Sequence, residues 1–313
     1  MVTILFLLLV LSLAGNFLLF QSNQRSSTRQ NINNLRQQYP FLSTRAINPN
    51  YHNDLIVNFL PLRTQMHKEV DPYADSFAVY FDYLPTGTTI SINEDKNFTA
   101  ESLLKVPVVM AYFHKKEQQG ITIDPTVTIK KSELNNKFGD LYKKGAGYKI
   151  NLGDAAKLAL QKSDNTASLV LADQISQDDF KFVYDGLDIP EMLDKNTPLI
   201  TAQEYSSVLK ALYFGGVLTN ADSEYILELL SKTDFNDLLP SGVPGNIAVS
   251  HKIGLVNGEL YADCGIVYYP NRPYILCMVS HSDEQTAKTH MHTLSKMVFD
   301  YVDGLERSSM QGK

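Results

Sequence analysis

Strand-like sequence in this chain is confined to its two ends, and that distribution limits the fold more than any other feature. SFAVYFDYL (76–84) and TTISINED (88–95) flank Pro85-Thr86-Gly87, a β-hairpin signature. IAVSHKIG (247–254), LYADCGIVYY (260–269) and PYILCMVS (273–280) come only after a helical stretch, Ser102 to about Leu230, broken by loops rich in Gly and Asn. One helix is expected before the hairpin, from Asp54 to about Val70 with Asn53 or Asp54 as its cap. Another is expected after the last strand, from Glu284 to about Val302. The pattern predicts an α/β (α+β) fold: an antiparallel five-stranded sheet from both chain ends, flanked by the terminal helices, plus a helical lobe.

The chain of 313 residues, 44% hydrophobic, is long enough to bury a full core. Its net charge of -6, with the signs interspersed, argues against a nucleic-acid partner, which needs a basic face. The first twenty residues, MVTILFLLLVLSLAGNFLLF, are almost wholly apolar and about long enough to span a bilayer. No Lys or Arg precedes them and no small residues close them, so an uncleaved anchor fits better than a cleaved signal peptide. The expected organisation is a transmembrane anchor (1–20), a polar linker acting as tether (21–52), a catalytic domain (53–306) and a tail (307–313). Arg25, Arg29 and Arg36 follow the span and by the positive-inside rule would hold the domain in the cytoplasm. The expectation is nonetheless an extracytoplasmic domain held by this single span, with the charge pattern against it.

Ser-x-x-Lys occurs twice, at Ser102–Lys105 and Ser207–Lys210. NFTAESLLKVPVVMAYFHKK reads as a helix start with Thr99 as cap, which puts Ser102 in a first turn. Free backbone N–H groups and the helix dipole there favour a developing oxyanion, and Lys105 projects from the same face. Ser207 and Lys210 fall mid-helix in TAQEYSSVLKALYF and read as a turn of surface helix.

Downstream lie Ser163-Asp164-Asn165, between two apolar helical stretches, and Lys252-Ile253-Gly254, late in a strand. In order, spacing and helix–helix–strand context these resemble the Ser-x-x-Lys, Ser-Asp-Asn and Lys-Thr/Ser-Gly signatures of the class A β-lactamases and related penicillin-binding proteins. The resemblance covers about Asp54 to Gly304. It implies Ser102 as nucleophile, Lys105 as base with its pKa lowered by a dry site and by Lys252, and Ser163 as proton carrier between the lysines. Asn165 and Gly254 would line the substrate site, Asp164 would brace its turn, and the backbone N–H groups of Ser102 and Leu255 would form the oxyanion hole. A β-lactam or a cell-wall peptide is the implied partner, with no cofactor and no metal.

Two departures from the family pattern stand out. Ile253 occupies a substrate-contacting position where relatives carry a hydroxyl, and no arginine lies between Lys252 and Pro270. Each lost contact to a buried anion costs roughly 1.5–3 kcal/mol. The segment GLDIPEMLDKNTPLIT (186–201) is shorter than the family's omega loop and lacks its Glu-x-x-Leu-Asn pattern, leaving Glu191 as the only glutamate there, an ordinary surface-loop residue or else the activator of water. Acylation with slow release is the expectation. A D,D-peptidase-like enzyme or a β-lactam sensor that holds its adduct are the rivals.

Cys264 and Cys277 flank YYPNRPY, so a turn at Pro270-Asn271 would set them opposite each other, as a disulfide or as packed thiols. His251 alternates away from Lys252, and His290 and His292 face different ways on one helix, a poor metal pair.

Overall fold

The computed structural model describes residues 37–41, 57–73, 75–187, 189 and 198–311, with the helical backbone alone for 306–311. The predicted anchor 1–20 lies outside the described residues. Among those that are described, no helix is long and apolar enough to cross a membrane.

Helix α1 (Leu60–Val70) begins later than the sequence suggests. Pro61 sets the limit: it fits a first turn, where an N–H has no partner anyway, and would break a helix begun at Asp54. Asn58 Oδ1 accepts the Leu60 N–H at 3.0 Å. The hairpin follows as β1 (Phe77–Tyr83) and β2 (Thr88–Ile92), then the two-residue β3 (Phe98–Thr99). The lobe comprises α2 (Lys105–Gln118), β4 (Thr126–Thr128), β5 (Lys149–Asn151), α3 (Leu152–Gln161), α4 (Asn165–Ala172) and α5 (Gln177–Asp185). It is completed by β6 (Leu199–Ile200), α6 (Ala202–Phe214) and α7 (Asn220–Leu230). Side-chain caps start most of these helices. Asn151 accepts from Gly153 N at 2.9 Å, and Thr201 and Glu204 form a reciprocal capping box. Strands β7 (Val249–Val256), β8 (Leu260–Val267) and β9 (Tyr274–Ser280) precede α8 (Glu284–Gln311), whose backbone continues past the expected boundary at 306.

The sheet order is β2-β1-β9-β8-β7, and every neighbouring pair is antiparallel. Both ends of the chain therefore meet in its centre, where β1 pairs with β9. The sheet is covered on both faces, which is why β1, β8 and β9 are buried along their whole length. Phe77, Val79, Phe81 and Tyr83 of β1 enter the core beneath α1 and α8. Ala78 and Tyr80 enter the larger core shared with the lobe. Helix α2 is the axis of that lobe, buried from Lys105 through His114. One row of paired residues crosses the sheet on the lobe face: Lys252 opposite Cys264, Cys264 opposite Cys277, Cys277 opposite Tyr80. Both cysteines are buried free thiols.

The stretch read as tether is docked where it is described. The Phe41 N–H donates to both carboxylate oxygens of Glu224, at 3.1 and 2.9 Å, and the Phe41 ring meets Tyr268 edge-on at 5.0 Å.

Candidate active site

Ser102 lies in a 3-10 turn, Glu101–Leu104, immediately ahead of α2 rather than in the α-helix itself. Thr99 is not its cap. It belongs to β3, which pairs with β6 through Thr99 and Leu199, and Ala100 precedes the turn with no side-chain cap bond. Glu101 holds a left-handed backbone (φ 46), a conformation that costs a non-glycine residue about 1–3 kcal/mol and recurs at sites that display a side chain. Strand β7 fixes the turn from the other side. A Cβ on Gly254 would stand 3.1 Å from Leu103 Cγ and 3.2 Å from the Ala100 carbonyl, a tight fit that any larger residue could meet only by shifting the turn by a few tenths of an ångström. Leu255, next along this edge strand, is thereby held beside the turn that carries Ser102.

Ser163 sits at the reversal between α3 and α4, also left-handed (φ 53). Asp164 braces that reversal. Its Oδ1 accepts from Ala167 N at 2.9 Å, and its Oδ2 accepts from Leu141 N at 2.8 Å. Ser163 and Asp164 are both 1% exposed, and Ser102 is half-buried.

Lys105 Nζ gathers the site. Ser102 Oγ is 2.6 Å away, Asn165 Oδ1 2.7 Å, the Ser163 carbonyl 2.8 Å and Ser163 Oγ 3.1 Å. Two of these four partners are carbonyl-type oxygens, which only accept. A neutral amine has two hydrogens and one lone pair. With both hydrogens on the two carbonyl oxygens, the lone pair is left for the Ser102 hydroxyl. Burial lowers the Lys105 pKa to about 8, against the opposing pull of Asp164 and Glu101, so the neutral form is within reach.

Lys252 Nζ donates to Ser163 Oγ at 2.8 Å and to the Ile253 carbonyl at 3.1 Å. Complete burial drives its pKa well down, the neighbouring Lys105 adds to that, and Asp263 opposes it. Asp263 stands on the other face of the sheet, where it holds His251 Nδ1 at 2.8 Å and accepts from Leu239 N at 3.0 Å. Ser102, Lys105, Ser163 and Lys252 thus form one unbroken chain of polar contacts.

Asn165 spends its oxygen on Lys105 and one amide hydrogen on Asn135 Oδ1 at 3.2 Å, and its second amide hydrogen has no partner among the described residues. Asn135 is absent from every signature and had no signal in the sequence. Ile253 does not line the site: its side chain is 3% exposed and packs in the core beneath the terminal helices, opposite Lys252. Strand parity alone requires this. Glu191 lies outside the described residues. Lys210 is not a free surface lysine either. It is paired at 2.5 Å with the fully buried Asp82 of β1, away from Ser102.

A family model described as the β-lactamase enzyme family matches residues 61–302, from α1 into α8. The chain is 24% identical to "Beta-lactamase 1" of Bacillus cereus over 242 residues, covering 72% of this chain and 76% of that protein. The fold is similar to that of PBP-A (TM-score 0.71, 20% identity, 78% of this chain and 97% of the other). It is also similar to that of a β-lactamase from Sphaerobacter thermophilus (TM-score 0.70, 18% identity, 79% and 98%). The matched span holds every element that assembles the Ser102–Lys105–Ser163–Lys252 chain, and the protein belongs to the β-lactamase enzyme family.

Proposed function

We propose that the protein is an active-site-serine hydrolase whose Ser102 attacks the carbonyl of a β-lactam or a related amide, with slow release of the acyl group. The observation that carries this reading is the Lys105 amine, fixed by two carbonyl oxygens with Ser102 Oγ 2.6 Å away. Neutral Lys105 takes the Ser102 proton as Oγ bonds the carbonyl carbon. The backbone N–H groups of Ser102 and Leu255 receive the oxyanion. The C–N bond then breaks as Ser163 donates its proton to the leaving nitrogen, and Lys105, 3.1 Å from Ser163 Oγ, restores it. Water returns the serine, and Glu191 is the residue of segment 186–201 assigned to activate it.

The second reading, a D,D-peptidase-like enzyme or sensor that keeps its adduct, draws support from the short 186–201 segment without the Glu-x-x-Leu-Asn pattern. It also draws support from the likeness to PBP-A, a variant of which was solved as an acyl-enzyme complex with penicillin G. Either role places the domain outside the membrane, held by residues 1–20. Protease protection of a C-terminal tag in sealed cells would overturn that placement.

Intact-mass measurement over time with a reporter β-lactam separates the readings. A transient adduct with turnover supports the lactamase, and a lasting adduct supports the peptidase or sensor. A folded protein with no adduct on Ser102 would contradict both. Turnover undiminished in Glu191→Gln would show that water is activated elsewhere.

A further inference from the structure

Behind Lys252, on the face of the sheet that packs beneath the terminal helices, lies a buried His–Asp pair that the chemistry above does not use. His251 Nδ1 and Asp263 Oδ1 are 2.8 Å apart, with the side chains 1% and 0% exposed. Gly265, directly opposite His251, makes the room: a Cβ there would stand 2.5 Å from His251 Cβ. Asp263 Oδ2 accepts from Leu239 N at 3.0 Å, and the Leu239 carbonyl accepts from Ser295 Oγ of α8 at 2.6 Å. His251 Nε2 is buried and has no partner among the described residues. That orphan atom fixes the protons. A proton on Asp263 Oδ1 would turn the ring to its Nε2–H tautomer, and a doubly protonated ring would carry that hydrogen too. Either leaves a buried N–H without an acceptor. Only an ionised Asp263 accepting from a neutral Nδ1–H imidazole leaves every polar hydrogen of the pair satisfied.

A buried anion and a buried amine thus stand on opposite faces of one sheet, neither with an ion partner in contact. Among the described residues no carboxylate touches Lys252, whose hydrogens go to Ser163 Oγ and the Ile253 carbonyl, and no lysine or arginine pairs with Asp263. Asp263 lies opposite Ile253, and its neighbour Cys264 lies opposite Lys252. Burial and Lys105 push Lys252 toward losing its proton, and Asp263 is the group that opposes them. The other titratable groups around the pair are neutral or engaged. Burial keeps the Tyr205 hydroxyl and the Cys264 thiol protonated. On α8, His292 meets Ser241 Oγ and Lys296 is paired with Asp300. On α7, Glu224 holds the Phe41 N–H and Glu228 holds Lys232, while Glu101 beside β7 is exposed and acts on Lys105. The charge on Lys252 matters to Ser163. An ammonium has three donors and no acceptor, so it cannot take the Ser163 hydrogen, which stays available to the leaving nitrogen. A neutral amine would draw that hydrogen away.

We propose that His251 and Asp263 are positioning residues, a counter-charge acting through the sheet that keeps Lys252 protonated and the Ser163 hydroxyl aimed at the leaving nitrogen. The inference rests on Ser102 and Ser163 acting as proposed above, but its test reads Lys252 directly. In the full-length protein labelled with 13C,15N-lysine, an NMR titration follows Lys252, identified by the signal lost in Lys252→Met. Asp263→Asn keeps an oxygen for Leu239 N and removes the charge. The Lys252 midpoint is expected to fall by at least about one pH unit in this variant, and an unchanged or raised midpoint would overturn the proposal. Between the two midpoints acylation should fall at least about tenfold, and a rate within about threefold of wild type would overturn the aiming of Ser163. A second measurement needs no variant and so survives a failure of Asp263→Asn to fold. In the wild-type protein labelled with 15N-histidine, His251 is expected as the neutral Nδ1–H tautomer at pH 7. A doubly protonated or Nε2–H ring would leave no net negative charge, or a different proton order, and would sink the counter-charge. A lowered Lys252 midpoint in a chain that no β-lactam acylates would instead reject the acyl-enzyme reading and leave the counter-charge standing.

Discussion

Gly139 and Asp164 occupy adjoining space that leaves no room for a side chain on the glycine. A Cβ on Gly139 would lie 2.2 Å from Asp164 Oδ2 and 2.6 Å from its Cα, and the backbone there is left-handed (φ 84). Asp164 cannot yield without losing its bonds to Leu141 N and Ala167 N. Gly139→Ala is therefore expected to destabilise the fold by about 3 kcal/mol, from overpacking and strain together. Acylation by a reporter β-lactam should fall with it, because Asn165 is anchored to Phe138 next door. A urea midpoint unchanged by the substitution would refute the account.

The pH dependence of acylation follows from Lys105. If its neutral form is the base, only about a tenth of the enzyme is active at pH 7. The acylation rate constant should rise about tenfold per pH unit up to roughly pH 8, the value to which burial lowers this lysine, and then level off. Stability carries the same signature. Between the folded value of about 8 and the ordinary 10.5, the unfolded chain holds a proton that the folded one has released, so stability rises with pH there. The excess rise over a Lys105→Met variant isolates this lysine, and parallel stability curves for the two would exclude it.

Among the described residues, Ser163 Oγ is the only oxygen that both lysines share. Ser163→Ala should lower the acylation rate constant by roughly 10²–10⁴, the range for a positioned proton donor. It should also strip buried Lys252 of one of its two acceptors, at about 1–3 kcal/mol of stability. Stopped-flow acylation and thermal melting measure the two effects separately. A rate within threefold of wild type would remove Ser163 from the proton route.

The second Ser-x-x-Lys pair makes a contrasting prediction. Ser207→Ala should leave acylation unchanged. Lys210→Met should also spare the chemistry but destabilise the protein, because it leaves the buried Asp82 carboxylate unopposed. Lys210 is itself 37% exposed, so about 2 kcal/mol is expected rather than the 3–5 kcal/mol of a fully buried pair. Loss of acylation without loss of stability would mean that this pair has a catalytic part.

What the sequence revealed, and what it concealed, divides by the range of the interactions involved. Apolar alternation in β1 and in the three C-terminal runs is local, and it was enough to pair the chain ends into one sheet. Ser163 and Lys252 were found because their signatures are short and ordered along the chain. Thr99 was misread as a cap because its partner, Leu199, is a hundred residues away, and the left-handed Glu101 has no compositional mark. Ile253 is different: alternation with Lys252 along β7 requires the far face, so its place in the motif is no guide to where its side chain sits. Asn135 lies in a loop without periodicity, so only its bond to Asn165 identifies it.

The central position of β9 governs the order in which the protein can be made. This strand bridges β1 and β8, yet it is the last of the sheet to leave the ribosome. Until residue 280 has emerged, β1 and β2 form an isolated hairpin and β8 has no partner toward β1. Lys252 is synthesised before β9 but has no completed sheet to stand on. A loop running from β1 to β9 must close before the non-local contacts are rewarded, which slows folding and leaves strand edges open to aggregation. Chains truncated before Tyr274 should thus be recovered as insoluble or degraded material rather than as partly active enzyme.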